Sequence, residues 1–451
     1  MLVASKDRHF KMDASQIIID KIFDFFIKSR DFNGIPLTRL AEETKTNYNT
    51  TVDIVKQLVT GDKASIQSSI NPHIISLGHF EIETQLRILE EAKNNTTEII
   101  SKISYEVNIS FDSHLVCVYP SPKYLKDNRD VSEFSKSPFA LQLALGEPQL
   151  KPLYFEIEVL DRYFKDPRFS FVFKDYSGQI SYTEDENNIP SVEEEDQIFL
   201  KTFGLGVDNN KERIAVVYLR YLNDLTPDHQ IYWKSKEAKR ECQMLKEYYV
   251  NTIEGDWTNS HSVFSAFIGE QKALNDLTKA IFNKPIFNTT FERDTHPKEF
   301  TFFFIPTLKN YNDFVLLLDK MISDNINKDF FSDKGIEMFD YKEIGNGIVE
   351  RKDKGTLRLF EEWLTMNFNT ADTQSVIEVF KPLKKIRRER QNPAHRISEN
   401  IYDKNFTTKQ TELIKEAYFT IRALRQVFQK HPKAKSVEIE KWLDDGQVKV
   451  F

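Results

Sequence analysis

The spacing of apolar residues changes twice along the chain, and those changes limit the architectures open to it. From residue 15 to 77, apolar side chains recur at helical intervals, as in Ile17, Ile18, Ile19, Ile22, Phe23, Phe25, Phe26 and Ile27 of a first helix. From about residue 105 to 233 the repeat shortens to two. Segments 114–119, 153–160, 168–173, 179–182, 197–200 and 213–222 read as strands there, with turns at Asp175–Gly178 and Asp208–Asn210. Beyond residue 232 the helical period returns over 235–250, 262–283, 310–326, 357–369, 373–391 and 409–431. One strand-like apolar run, residues 300–305, interrupts it. Strands gathered in one stretch and helices in others predict an α+β multidomain chain rather than an alternating α/β fold.

The expected borders are residues 1–80 for an N-terminal unit, 81–104 for a helical connector, 105–233 for an antiparallel β-rich domain and 234–451 for a mainly helical domain. A length of 451 residues suits roughly three units of ~150 residues each. Two isolated cysteines, Cys117 and Cys242, form neither a metal-binding pair nor a disulfide framework, so a reducing, cytoplasmic compartment is expected. The first dozen residues mix Lys, Arg and Asp with apolar side chains, unlike a signal peptide. No stretch approaches the ~20 apolar residues of a membrane helix, and no membrane partner is expected.

Residues 15–77 read as a winged helix-turn-helix. Ser15 caps a first helix, Pro36 opens a second, a turn follows at 44–47, and residues 49–59 supply the third. A wing would start at Gly61-Asp62. The third helix is poorly suited to DNA, because Lys56 and Lys63 face Asp53 and Asp62 in nearly equal charge. Phosphate contacts dominate DNA affinity, so duplex binding through residues 15–77 is expected to be weak. Residues 183–196 hold seven carboxylates and no Lys or Arg, and read as a solvated loop. A sharper alternative has this loop occupying a basic site until displaced. Glu156 and Glu158 share a strand face without the Asp and Lys set of a metal nuclease, and read as surface.

The chemistry concentrates in residues 381–396. Lys381, Lys384, Lys385, Arg387, Arg388, Arg390 and Arg396 stand there against Glu389 alone, on a chain whose net charge is −7. Such a run predicts a polyanion surface. His395 lies within it, and helical patterns flank it on both sides. The segment from Arg390 to His395 resembles the R-x4-6-H motif of HEPN-superfamily ribonucleases, and Arg388 to His395 fits the longer gap of the same motif. The resemblance covers about the last third of the chain.

That resemblance implies a metal-independent endoribonuclease, of the kind that serves as a bacterial toxin or antiphage effector, that acts on RNA as a homodimer with two motifs sharing one cleft. Arg390 and His395 would be catalytic, with Arg388, Gln391 and Asn392 supporting them. Lys384, Lys385, Arg387 and Arg396 would bind RNA. Histidine titrates near neutrality and can move the proton of an attacking 2′-OH, while Arg offers a planar fork to the phosphorane. No cofactor and no metal are implied. Two departures qualify the pattern. Pro393 breaks a continuous helix through the motif, and residues five apart lie ~140° apart around an ideal helix. Two alternatives stand beside the ribonuclease: a non-enzymatic DNA-binding regulator, and a catalytically silent scaffold that uses Arg390 and His395 structurally.

Overall fold

The computed structural model describes residues 13–449, apart from 30, 70, 95–114, 257–259, 293–294, 346–347, 368–372 and 392–398. The chain mixes helices with antiparallel strands and ends in a helical region. It divides into two compact units, each assembled from separated segments. The first takes residues 1–156, 180–203 and 214–242; the second takes 157–179, 204–213 and 243–451. Residues 105–233 therefore contribute to both units.

In the first unit, α1 (Ala14–Lys28) buries Ile18, Ile19, Ile22 and Phe26 along one face. Its cap is Asp13, whose carboxylate accepts the Ser15 N–H, so the capping role expected of Ser15 moves two residues upstream. Helix α2 (Leu37–Thr44) and α3 (Tyr48–Thr60) are joined by a short turn. Lys45 adopts the left-handed conformation that ends α2, and the Asn47 side chain caps α3 by accepting from the N–H groups of Asn49 and Thr50. Strands β1 (Ile35–Pro36), β2 (Ala64–Ser68) and β3 (Val116–Pro120) form an antiparallel sheet in the order β1-β3-β2. Gly34 is required beside it: a Cβ there would lie 2.4 Å from the buried Tyr119 ring.

A further helix, α4 (Ile82–Asn94), packs against α3 through Leu86, Ile88 and Leu89. Ion pairs Lys56–Glu90 and Lys93–Asp53 tie the same two helices together. The remaining strands of the middle stretch are β4 (Pro152–Glu156), β5 (Phe169–Lys174), β6 (Ser177–Tyr182), β7 (Phe199–Asp208) and β8 (Arg213–Tyr218). β4 and β8 pair antiparallel in register from Pro152–Tyr218 to Glu156–Ile214. Asp175 takes a positive φ of 55° in the turn between β5 and β6, as the hairpin pattern predicts. Residues 157–160 and 219–223, read as strand continuations, are instead helical turns. Glu184, Asp185, Glu186 and Glu193–Glu195 are exposed, as a solvated loop requires.

The second unit is built on five long helices: α5 (Val263–Phe282), α6 (Leu308–Asp319), α7 (Thr356–Asn367), α8 (Thr373–Gln391) and α9 (Asn405–Gln429). Their apolar faces share one core that includes Phe267, Leu274, Leu318, Phe360, Trp363, Phe380, Ile414 and Phe428. Inside it, a salt bridge between Glu270 and Arg425 is fully buried, with Arg425 also reaching Asp444. No described helix is long and apolar enough to cross a membrane.

Three further elements differ from the sequence reading. Residues 300–305 form no strand; Phe300, Phe302 and Phe304 are buried as interlocking rings, with Phe302 and Phe304 5.3 Å apart at 72°. The helix expected over 235–250 is replaced by Pro227–Ser235, a strand at Cys242–Met244 and a short turn at Lys246–Tyr249. Finally, the region read as helical contains an antiparallel hairpin, Phe339–Gly345 with Ile348–Asp353, whose described side chains are mostly exposed. Its polar-apolar alternation is too irregular to set it apart from a loop.

Candidate functional site

The basic run forms the second half of α8, and helical geometry sorts its residues onto two faces. Val376, Phe380, Leu383 and Ile386, spaced three or four apart, enter the core. The cations occupy the positions between them. Pro382 lies inside this helix, although proline lacks the N–H of an interior turn.

The cations that look unopposed in the linear sequence have partners on neighbouring helices. Lys384 donates to Glu361 of α7 at 2.7 Å, and Lys385 donates to Glu416 of α9 at 3.0 Å. Lys381 pairs with Glu378 one turn back. Arg388 and Gln391 are exposed. Glu389 accepts the phenol O–H of Tyr311 from α6. Burial, and then the hydrogen bond to Glu389, push the Tyr311 phenol well above its ordinary range.

Arg387 and Arg390 lie three apart and so share a side of α8. They converge on the same two carboxylates. Arg387 Nη1 is 2.9 Å from Asp319 and 2.8 Å from Asp324. Arg390 Nη1 is 2.6 Å from Asp319 and 2.7 Å from Asp324. The Asp319 side chain is 0% exposed, and its second oxygen accepts the Ser323 hydroxyl at 2.6 Å. Asp324 is more open, at 43%.

The local backbone explains how residues five apart can serve one site. After Asp319 the helix widens into a π-helical turn, Lys320–Asp324. Bonding from i to i+5 brings residues five apart nearly into line, whereas an α-helix would separate them by ~140°. Burial would raise the Asp324 carboxyl, but the hydrogen bonds from Arg387 and Arg390 hold it below the usual range. The hydrogen bonds that Arg390 donates to Asp319 and Asp324 in turn raise its guanidinium. The result is a neutral cluster of two guanidiniums and two carboxylates at the last turn of α8.

Asn392, His395 and Arg396 lie outside the described residues. The chain on their far side is held at the start of α6. Leu308 N–H donates to the Ile401 carbonyl at 2.9 Å, and Asp403 N–H donates to the Pro306 carbonyl at 3.1 Å. Helix α6 thus contacts both flanks of residues 392–398, one at each of its ends. Among the described residues, no three His, Cys, Asp or Glu side chains gather as a metal site. Sequence reasoning missed Asp319, Asp324, Glu361 and Glu416, since on a strict α-helical reading Asp319 and Asp324 do not share a face. No protein-family model, curated protein or solved structure matches the chain.

Proposed function

We propose that the chain is a HEPN-type, metal-independent endoribonuclease whose centre joins the end of α8 to His395. The observation that carries this reading is the fixed position of Arg390. Two carboxylates, one of them fully buried, hold its guanidinium two residues before the segment that bears His395. A preorganised cation loses little on binding a phosphorane, and a nearby imidazole supplies proton transfer. Arg387 shares the clamp, and exposed Arg388 and Gln391 border the approach to it. RNA is the substrate in this reading, and two copies of the chain would bring two such centres into one cleft.

A catalytically silent HEPN scaffold is the second reading, and one observation favours it: the same carboxylates neutralise the guanidiniums that would receive phosphate. In both readings residues 15–77 form a winged helix used for contacts other than DNA. Its third helix is packed against α4, and Lys56 is engaged by Glu90. Incubating the purified chain with total RNA in EDTA separates the two. Fragments ending in cyclic phosphate are expected of the nuclease, and intact RNA at all protein concentrations would leave the scaffold.

A further inference from the structure

The second unit contains a cavity of about 400 Å³, away from the carboxylate cluster in its residues and different in chemistry. That volume falls in the range of small-molecule sites. Its apolar lining is mainly aromatic, with Val172, Val263 and Ile414 among the rings. Phe173 and Phe302 meet edge to face at 5.5 Å, as do Phe264 and Phe300 at 5.4 Å. Its charged lining is Lys174, Arg213, Lys298 and Lys449 against one carboxylate, Asp175.

Asp175 is already engaged. Its Oδ1 accepts the Ser262 N–H at 2.8 Å and the Ser265 hydroxyl at 2.7 Å, at the positive end of α5. Lys449 pairs with Glu247, which lines an adjoining cavity. Arg213 lies over the Phe302 ring with its Cζ 4.6 Å from the centroid, and burial pushes its guanidinium down to about 10, so it stays charged at neutral pH. For Lys298 the described residues offer the ring of Phe164 at 5.8 Å. The adjoining cavity, about 600 Å³, shares Arg213 and Lys449 and adds Lys211, which extends the basic rim.

We propose that this cavity binds a nucleoside phosphate, with the base among the phenylalanine rings and the phosphate on Arg213 and Lys298. An Arg fork and a Lys suit phosphate oxygens. Base–aromatic stacking contributes about 1–3 kcal/mol per base and is tolerant of base identity. A cavity of about 400 Å³ is large enough for one nucleotide. The site stands independently of the reading given to α8.

Calorimetry on the full chain tests it, with AMP and UMP as probes. Adenosine supplies the ring without the anion, and ribose 5-phosphate supplies the anion without the ring. Both nucleotides should bind, and each control should be weaker by about tenfold or more, the equivalent of ~1.4 kcal/mol. Lys298→Glu places a carboxylate at the rim of a partly exposed position and should weaken AMP by about tenfold or more, with an unchanged circular dichroism spectrum. Lys298→Arg should retain binding. No binding of either nucleotide at about 1 mM, ribose 5-phosphate binding as tightly as AMP, or an AMP affinity unaltered by Lys298→Glu would each overturn the proposal.

Discussion

Replacing Asp319 by Asn keeps the shape of the side chain and removes the charge that two guanidiniums share. Asp319 is fully buried, whereas Arg387 and Arg390 are 42% and 29% exposed. Breaking a buried pair typically costs ~3–5 kcal/mol because a charge is left uncompensated. Here the stranded cations can reach water and keep Asp324, so the cost falls to about 2–3 kcal/mol by discounting for solvent. For a unit of ~150–250 residues, each kcal/mol moves the midpoint by about 2–4 °C, giving a loss of about 4–12 °C. Asp324→Asn removes the open partner of the same cluster and should cost under about 1 kcal/mol. Thermal unfolding of both variants, followed by circular dichroism, compares them directly. Equal midpoints for the two would refute the argument that burial of Asp319 makes the clamp rigid.

Two further outcomes follow from the same structure, and a third from the proposed ribonuclease. The Asp324 carboxyl is depressed in the folded chain, so its stabilising effect is present above its ordinary range near pH 4 and fades as pH falls through the lower folded value. The stability gap between the wild-type chain and Asp324→Asn should therefore shrink in acid denaturation series, and a gap that widens below pH ~4 would contradict that sign. Duplex DNA should bind weakly, because α3 carries nearly balanced charge and its Lys56 is paired with Glu90 of α4; a nanomolar, sequence-selective gel shift at physiological salt would overturn this. Light scattering should show a dimer at micromolar concentration, and a strict monomer with and without RNA would count against a shared cleft.

Much of the helical framework is legible from periodicity alone. Helices α5, α7 and α8 lie within a few residues of their expected limits because their apolar faces repeat over three or more turns. Local composition misleads where tertiary contacts decide. The run at 300–305 reads as a strand because Phe favours strands, yet its rings are consumed by an aromatic cluster that leaves the backbone irregular. The charge of the basic run is misjudged for a related reason. Its neutralising partners, Asp319, Asp324, Glu361 and Glu416, are 23 to 71 residues distant in sequence. Only folding brings them together, and only the π turn lets Asp319 and Asp324 act as one.

The proposed proton transfer by His395, five residues after the clamped Arg390 in sequence, is tested most directly by the cleavage activity of single-residue variants. Wild-type chain, His395→Ala and Arg390→Lys would be compared on one labelled RNA in EDTA, with binding measured in parallel. Proton transfer by a positioned side chain is typically worth about 10²–10⁴ in rate, so His395→Ala should lose that much while RNA affinity stays largely intact. Arg390→Lys should keep binding better than rate, because Lys lacks the bidentate fork. Products from the active chain should carry cyclic phosphate ends, since the proposed nucleophile is the 2′-OH. Wild-type cleavage by His395→Ala, or activity that appears only with added magnesium, would contradict the account at its central residue.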